Sequence, residues 1–133
     1  MTIKELLTNN FFVLILMLFL HVLEDFHLQG ILASMKQIKW WEKQVGSEYL
    51  GKYAYDWVPS LLAHAFEWTF MIMIPVFLTK EFTYLTALMI MSNTIFHFVI
   101  DNSKCNLMQI NLVTDQILHL VQILFTWVFF IIL

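Results

Sequence analysis

Residues 10–29 read NFFVLILMLFLHVLEDFHLQ. As an α-helix this stretch rises about 30 Å, the thickness of a bilayer's hydrocarbon core. From Phe11 to Leu20 it is wholly apolar, and then His21, Glu24, Asp25 and His27 enter before it ends. The stretch therefore reads as a membrane span whose last turns carry groups that hydrocarbon does not tolerate without partners. Lys4 ahead of the run gives it the outline of a secretion signal. The apolar run passes Leu20 to Leu23 with no small-residue cleavage site, so it reads as a retained first span.

Working outward, three more segments have this character: about 57–78, 82–100 and 111–133. The second carries Pro59 in its first turn, where proline costs no helical hydrogen bond. Strict alternation of apolar and polar residues is absent, which argues against strands. The composition agrees, with 60% hydrophobic and 13% charged residues over 133 residues. A chain this short has too much surface to hide that much apolar side chain from water. The expectation is an all-α, four-helix transmembrane bundle forming one domain over 1–133, with the lipid bilayer as its first partner.

Several function classes fall away. The net charge of −3 gives no basic face for nucleic acid. All seven basic residues are lysine, so no arginine fork is available for phosphate or carboxylate. The single cysteine, Cys105, excludes an internal disulfide and any multi-cysteine zinc site.

The connectors differ. Thr79-Lys80-Glu81 reads as a tight turn, and Asp101 to Gln109 as a short polar loop. The segment 30–56 is longer and mixes Lys36, Lys39, Lys43 and Lys52 with Trp40, Trp41, Tyr49, Tyr53 and Tyr55. That mixture suits the headgroup layer, and Ile31 to Gln44 reads as a candidate amphipathic helix lying there. With four spans, the first and third loops share a side and carry Lys36, Lys39, Lys43, Lys52 and Lys104, against Lys4 and Lys80 opposite. The positive-inside rule then places those loops in the cytoplasm and both termini outside.

The polar residues within the spans form stripes. His21 and Asp25 are four apart. Ser60, His64 and Glu67 share a face, as do Asn93, His97 and Asp101, and likewise Asp115, His119 and Gln122. Because consecutive spans run in opposite directions, His21, His64, His97 and His119 all fall at one depth, near the lysine-rich loops. Imidazoles and carboxylates converging from several helices are how bundles build metal sites. The expected ligands are His21, Asp25, His64, His97, Asp101, Asp115 and His119. These seven exceed one tetrahedral shell, so either two ions bind or some of the seven orient the others. Neutral imidazole and carboxylate suit a divalent metal, zinc foremost. A metal-free hydrogen-bonded network is the competing reading. His27 lies off the His21 face, and Glu24 and Glu67 are assigned neither to the lipid interface nor to the site.

The motifs His21-x-x-x-Asp25-Phe26-x-Leu28-Gln29, His97-x-x-Ile100-Asp101-x-x-Lys104 and Asp115-Gln116-x-x-His119, with Lys36 and His64, resemble a domain-of-unknown-function family. Its members are small integral membrane proteins of bacteria and their phages. The resemblance covers nearly the whole chain. It implies that Gln29, Lys36, Lys104 and Gln116 belong with the His/Asp set, and it implies a bacterial inner (plasma) membrane. A looser similarity, by type of site alone, is to membrane-embedded metal-dependent hydrolases.

The leading expectation is such a hydrolase acting on a lipid or other amphiphile at the cytoplasmic face. Asp25, Asp101 and Asp115 would be ligands or general base. Lys36, Lys104, Gln29 and Gln116 would hold substrate. A metal or proton carrier or sensor is the second expectation, and a non-enzymatic phage or host membrane-interaction protein the third. A homo-oligomer is compatible with all three.

Overall fold

A computed structural model describes residues 3–46 and 51–132. Tyr49, expected among the headgroup-layer aromatics, lies outside the described residues. Seven α-helices and no strands occur among those described. They are α1 (Ile3–Leu7), α2 (Asn10–Leu23), α3 (Leu32–Met35), α4 (Ile38–Val45), α5 (Trp57–Thr79), α6 (Tyr84–Cys105) and α7 (Leu112–Ile132). A π-helical turn, Glu24–Leu28, continues α2. Four helical stretches are long and apolar enough to cross a membrane: Asn10–Leu28, Trp57–Thr79, Tyr84–Cys105 and Leu112–Phe130.

Local chemistry sets the helix starts. The Asn9 side chain accepts hydrogen bonds from the Phe11 and Phe12 amides at 2.9 and 3.1 Å. Thr83 and Thr86 exchange side-chain-to-backbone bonds in a capping box at the start of α6. Asn111 accepts from the Thr114 amide at 2.9 Å ahead of α7. Gly30 takes φ +53°, in the left-handed region open to glycine, where the chain turns from the first span towards α3.

The four long helices pack in a closed ring, α2 on α5, α5 on α6, α6 on α7 and α7 on α2. The Trp127 indole N–H donates to the Asn10 carbonyl at 2.7 Å, so the end of the last span lies beside the start of the first. Lys80, in the α5–α6 turn, sits 5.0 Å from the Phe130 ring at that same end. Large apolar side chains such as Phe19, Phe96 and Phe125 point outward, where a bilayer would meet them. Inside, Val13, Met17, Ile72, Met73, Val76, Met89, Ile123 and Phe130 fill one half of the bundle. The other half is polar.

Two boundaries depart from the sequence reading. The third span was expected to end near Ile100, but α6 runs on to Cys105, so Asp101 and Lys104 stand on a helix, one turn apart, and not in a loop. The segment expected as one helix over Ile31 to Gln44 is two short helices, α3 and α4, broken at Lys36 and Gln37.

Candidate metal centre

Each long helix brings polar side chains to the same end of the bundle. The α2 stretch carries His21, Glu24 and Asp25; α5 carries His64; α6 carries His97 and Asp101; α7 carries Asp115 and His119. All eight are buried, with His64, His97, Asp115 and His119 fully so. On α5, α6 and α7 the placement follows from four-residue spacing on a regular helix. On the first span His21, Glu24 and Asp25 stand at i, i+3 and i+4, again one helix face, at the point where α2 passes into the π turn.

The ring nitrogens converge on Asp101. His64 Nε2 lies 3.1 Å from Asp101 Oδ2, His119 Nε2 3.2 Å from Asp101 Oδ1, and His97 Nε2 3.6 Å from Oδ1. His64 Nε2 and His97 Nε2 are 3.2 Å apart. His119 Nε2 is also 3.5 Å from Asp115 Oδ1, and His64 Nε2 is 3.8 Å from Asp25 Oδ1. Two atoms bound to one ion at ~2.0–2.2 Å sit roughly 3–3.5 Å apart, so most of these spacings fall within or close to the range of a shared coordination shell. Three triads hold ligand atoms within 4.8 Å of one another: Asp25, His64 and His97; His97, Asp101 and His119; Asp25, Asp115 and His119. Together they use six of the seven expected ligands.

The seventh, His21, stands behind them. Its Nδ1 accepts from the Trp68 indole N–H at 2.8 Å, and its Nε2 faces the Gln116 amide oxygen at 3.2 Å. With Nδ1 accepting, Nε2 carries the proton and donates. Both ring nitrogens are thus engaged, and His21 enters none of the triads. Gln116 passes the contact on, its amide N–H₂ donating to Asp25 Oδ2 at 2.8 Å and to Asp115 Oδ2 at 3.1 Å. Gln29 donates to Asp25 Oδ1 at 3.0 Å and to the Asp25 carbonyl.

The two lysines expected to hold substrate are turned onto the aspartates. Lys36 Nζ lies 2.6 Å from Asp101 Oδ2 and is itself buried. Lys104 Nζ lies 2.7 Å from Asp115 Oδ2 with about a third of its side chain exposed. Lys36 arrives from the loop, and Asn106 at the end of α6 holds it there. The Asn106 side chain donates to the Lys36 carbonyl at 3.1 Å and accepts from the Ile38 amide at 2.8 Å.

The charges do not balance. Glu24, Asp25, Asp101 and Asp115 face two ammonium groups, so with neutral histidines the cluster carries a formal excess of two negative charges. Polar atoms are also left over. Both Glu24 oxygens, Asp115 Oδ1 and the Nδ1 atoms of His64, His97 and His119 are buried without a hydrogen bond. Glu24 Oε1 is 3.2 Å from His64 Nδ1 but out of line for a good bond. Buried excess charge and unpaired carboxylate oxygens are costly. A divalent cation relieves both, and so would protons on two of the histidines.

Trp68 had no place in the sequence reading, Glu24 only an ambiguous one, and Asn93 and Gln122 were read as stripe members without the layer they form. Trp68 stacks on His97 at 4.2 Å between ring centres and, by its bond to His21, separates the polar end from the apolar core. Its signal was its spacing, four residues after His64. Glu24 was left open and is in fact buried, whereas Glu67, left open with it, is exposed, as is His27. Deeper in the bundle, Gln122 donates to Asn93 Oδ1 at 2.9 Å and Asn93 donates to Thr126 at 3.0 Å, a second polar layer below the histidines. Comparisons of the chain with protein-family models, with curated proteins and with solved structures return no match.

Proposed function

We propose that the chain is a membrane-embedded, divalent-metal-dependent hydrolase acting on a lipid or other amphiphile. The observation that carries the metal part is the convergence of buried ligand-capable side chains from four helices, with ligand atoms of three triads within 4.8 Å of one another. Imidazole and carboxylate donors suit zinc, manganese and iron, and zinc is the ion we propose first. When bound, the metal supplies a Lewis acid and a water of lowered pKa. The protein's own residues do the rest. His64, His97, His119 and Asp101 would hold the metal. Asp25 and Asp115, both contacted by Gln116, would complete the ligands or accept a proton from attacking water. Of the two lysines seated on the cluster, Lys104 is the more exposed and would meet an anionic headgroup.

The amphiphile part has a separate support. A lateral groove of about 540 Å³ runs between α6 and α7, lined by Leu88, Phe96, Leu118, Phe125 and Phe129. Its lining also includes Asn93, Gln122 and Thr126 of the polar layer below the histidines, and none of the cluster's histidines or aspartates. Membership of the bacterial and phage family, an inner-membrane location and a cytoplasmic-facing site belong to the same proposal. Lysine distribution supports the last of these.

The test is hydrolysis of a mixed phospholipid vesicle by the full chain in zinc-supplemented buffer. Release of fatty acid or headgroup that Asp101→Asn abolishes is expected, and metal-bound protein with no turnover would remove the enzyme. A carrier is the second reading, favoured by the Asn93–Gln122–Thr126 layer below the cluster. Zinc or proton flux into sealed vesicles would select it.

A further inference from the structure

We infer that the cluster holds two divalent ions, bridged by the carboxylates of Asp25 and Asp101. This rests on the metal reading above and makes its stoichiometry specific. The argument begins from the three converging triads. The ring nitrogen that a histidine turns to an ion serves that ion alone, whereas a carboxylate's two oxygens can serve two. The triad of His97, Asp101 and His119 shares a histidine with each of the others. The remaining two, Asp25–His64–His97 and Asp25–Asp115–His119, share only Asp25. They are the one pair that two ions can occupy at once.

Asp101 is oriented for the same division. Its Oδ2 faces His64 at 3.1 Å and its Oδ1 faces His119 at 3.2 Å. Asp25 is likewise held by one amide on each oxygen, Gln29 on Oδ1 and Gln116 on Oδ2. One ion then takes His64, His97 and Asp101 Oδ2. The other takes His119, Asp101 Oδ1 and Asp115 Oδ1, the oxygen left without a hydrogen bond. Asp25 reaches both. Paired ions in such sites lie ~3.5–4 Å apart, a span that a carboxylate bridges.

The lysines complete the count. Lys36 and Lys104 sit at 2.6 and 2.7 Å on Asp101 Oδ2 and Asp115 Oδ2, oxygens of the same carboxylates that would bind the ions. Four carboxylates are neutralised by one divalent ion with both ammonium groups seated, or by two ions with both withdrawn. The ammonium groups are therefore tethered stand-ins for the second ion. Removing one should favour metal, the opposite of what a structural or substrate-binding lysine would do.

The full chain, purified in detergent, is loaded with manganese. Bound metal is counted by elemental analysis and its coupling read by electron paramagnetic resonance. The expected result is two ions per chain with an exchange-coupled spectrum. Asp115→Asn should retain one ion with an isolated-ion spectrum, and Lys36→Met should bind the second ion several-fold more tightly. One ion per chain in the unmodified protein, or two without coupling, would overturn the bridged pair while leaving the metal reading intact. Weaker binding by Lys36→Met would overturn the stand-in role. Failure to bind manganese or zinc at all would remove the proposed function itself and this inference with it.

Discussion

At the scale of single residues, the cluster is oriented by groups outside the three triads. His64 presents Nε2 to Asp101, while its Nδ1 lies 3.2 Å from Glu24 without a hydrogen bond, so Glu24 acts on the imidazole by charge at close range and could orient it fully only after a small shift. His21 does a related task at one remove, through Gln116 to Asp25 and Asp115. Outer partners of this kind typically change affinity without being ligands. Glu24→Gln is therefore expected to weaken zinc binding by about 10–100-fold while the protein still folds, as read by competition with a chromophoric chelator. Unchanged affinity would show that Glu24 is a structural acid and that His64 is held by other means.

At the scale of elements, two features decide the site, and they were unequally legible. The four-residue spacings on α5, α6 and α7 could be read because a regular helix returns to the same face every four residues. Three-residue spacing was ambiguous: Glu24, three after His21, is buried, whereas Glu67, three after His64 and expected on its face, is exposed. The late end of α6 was hidden for another reason. An apolar count stops at the first charge, whereas backbone hydrogen bonding continues through Asp101 and Lys104 to Cys105. The seat of Lys36 was invisible because its partner lies 65 residues away, and local pattern carries no such contact. That seat depends on Asn106, which ties the α3–α4 segment to the end of α6 through Lys36 and Ile38. Asn106→Ala leaves the Ile38 amide and the Lys36 carbonyl without these partners, a loss of about 1–3 kcal/mol. Faster hydrogen exchange across residues 32–45, with α5 and α7 unchanged, is the expected outcome. Exchange equal to that of the unmodified protein would mean the segment is held elsewhere.

At the scale of the whole molecule, the bundle is divided across its length. The half near the chain ends is packed mainly by apolar side chains such as Met89, Ile123 and Phe130, interrupted by the Asn93–Gln122–Thr126 layer, and the opposite half holds the histidines and acids. Within lipid, apolar side chains gain little by meeting one another, so packing and polar contacts hold such helices together. A cluster contributed by all four spans therefore bears on stability as well as chemistry. An ion bound only by the folded bundle stabilises it by about 4 kcal/mol at a thousand times its dissociation constant. The measurement that bears most directly on this account is the metal content of the purified full chain, taken together with its thermal unfolding before and after chelator. The account predicts stoichiometric zinc or another divalent ion in the unmodified protein and a clear fall in unfolding temperature when it is removed. It also predicts loss of the ion from His97→Ala and from His119→Ala, both still helical in detergent. A metal-free protein whose unfolding ignores the chelator, or full metal content surviving in both variants, would contradict it.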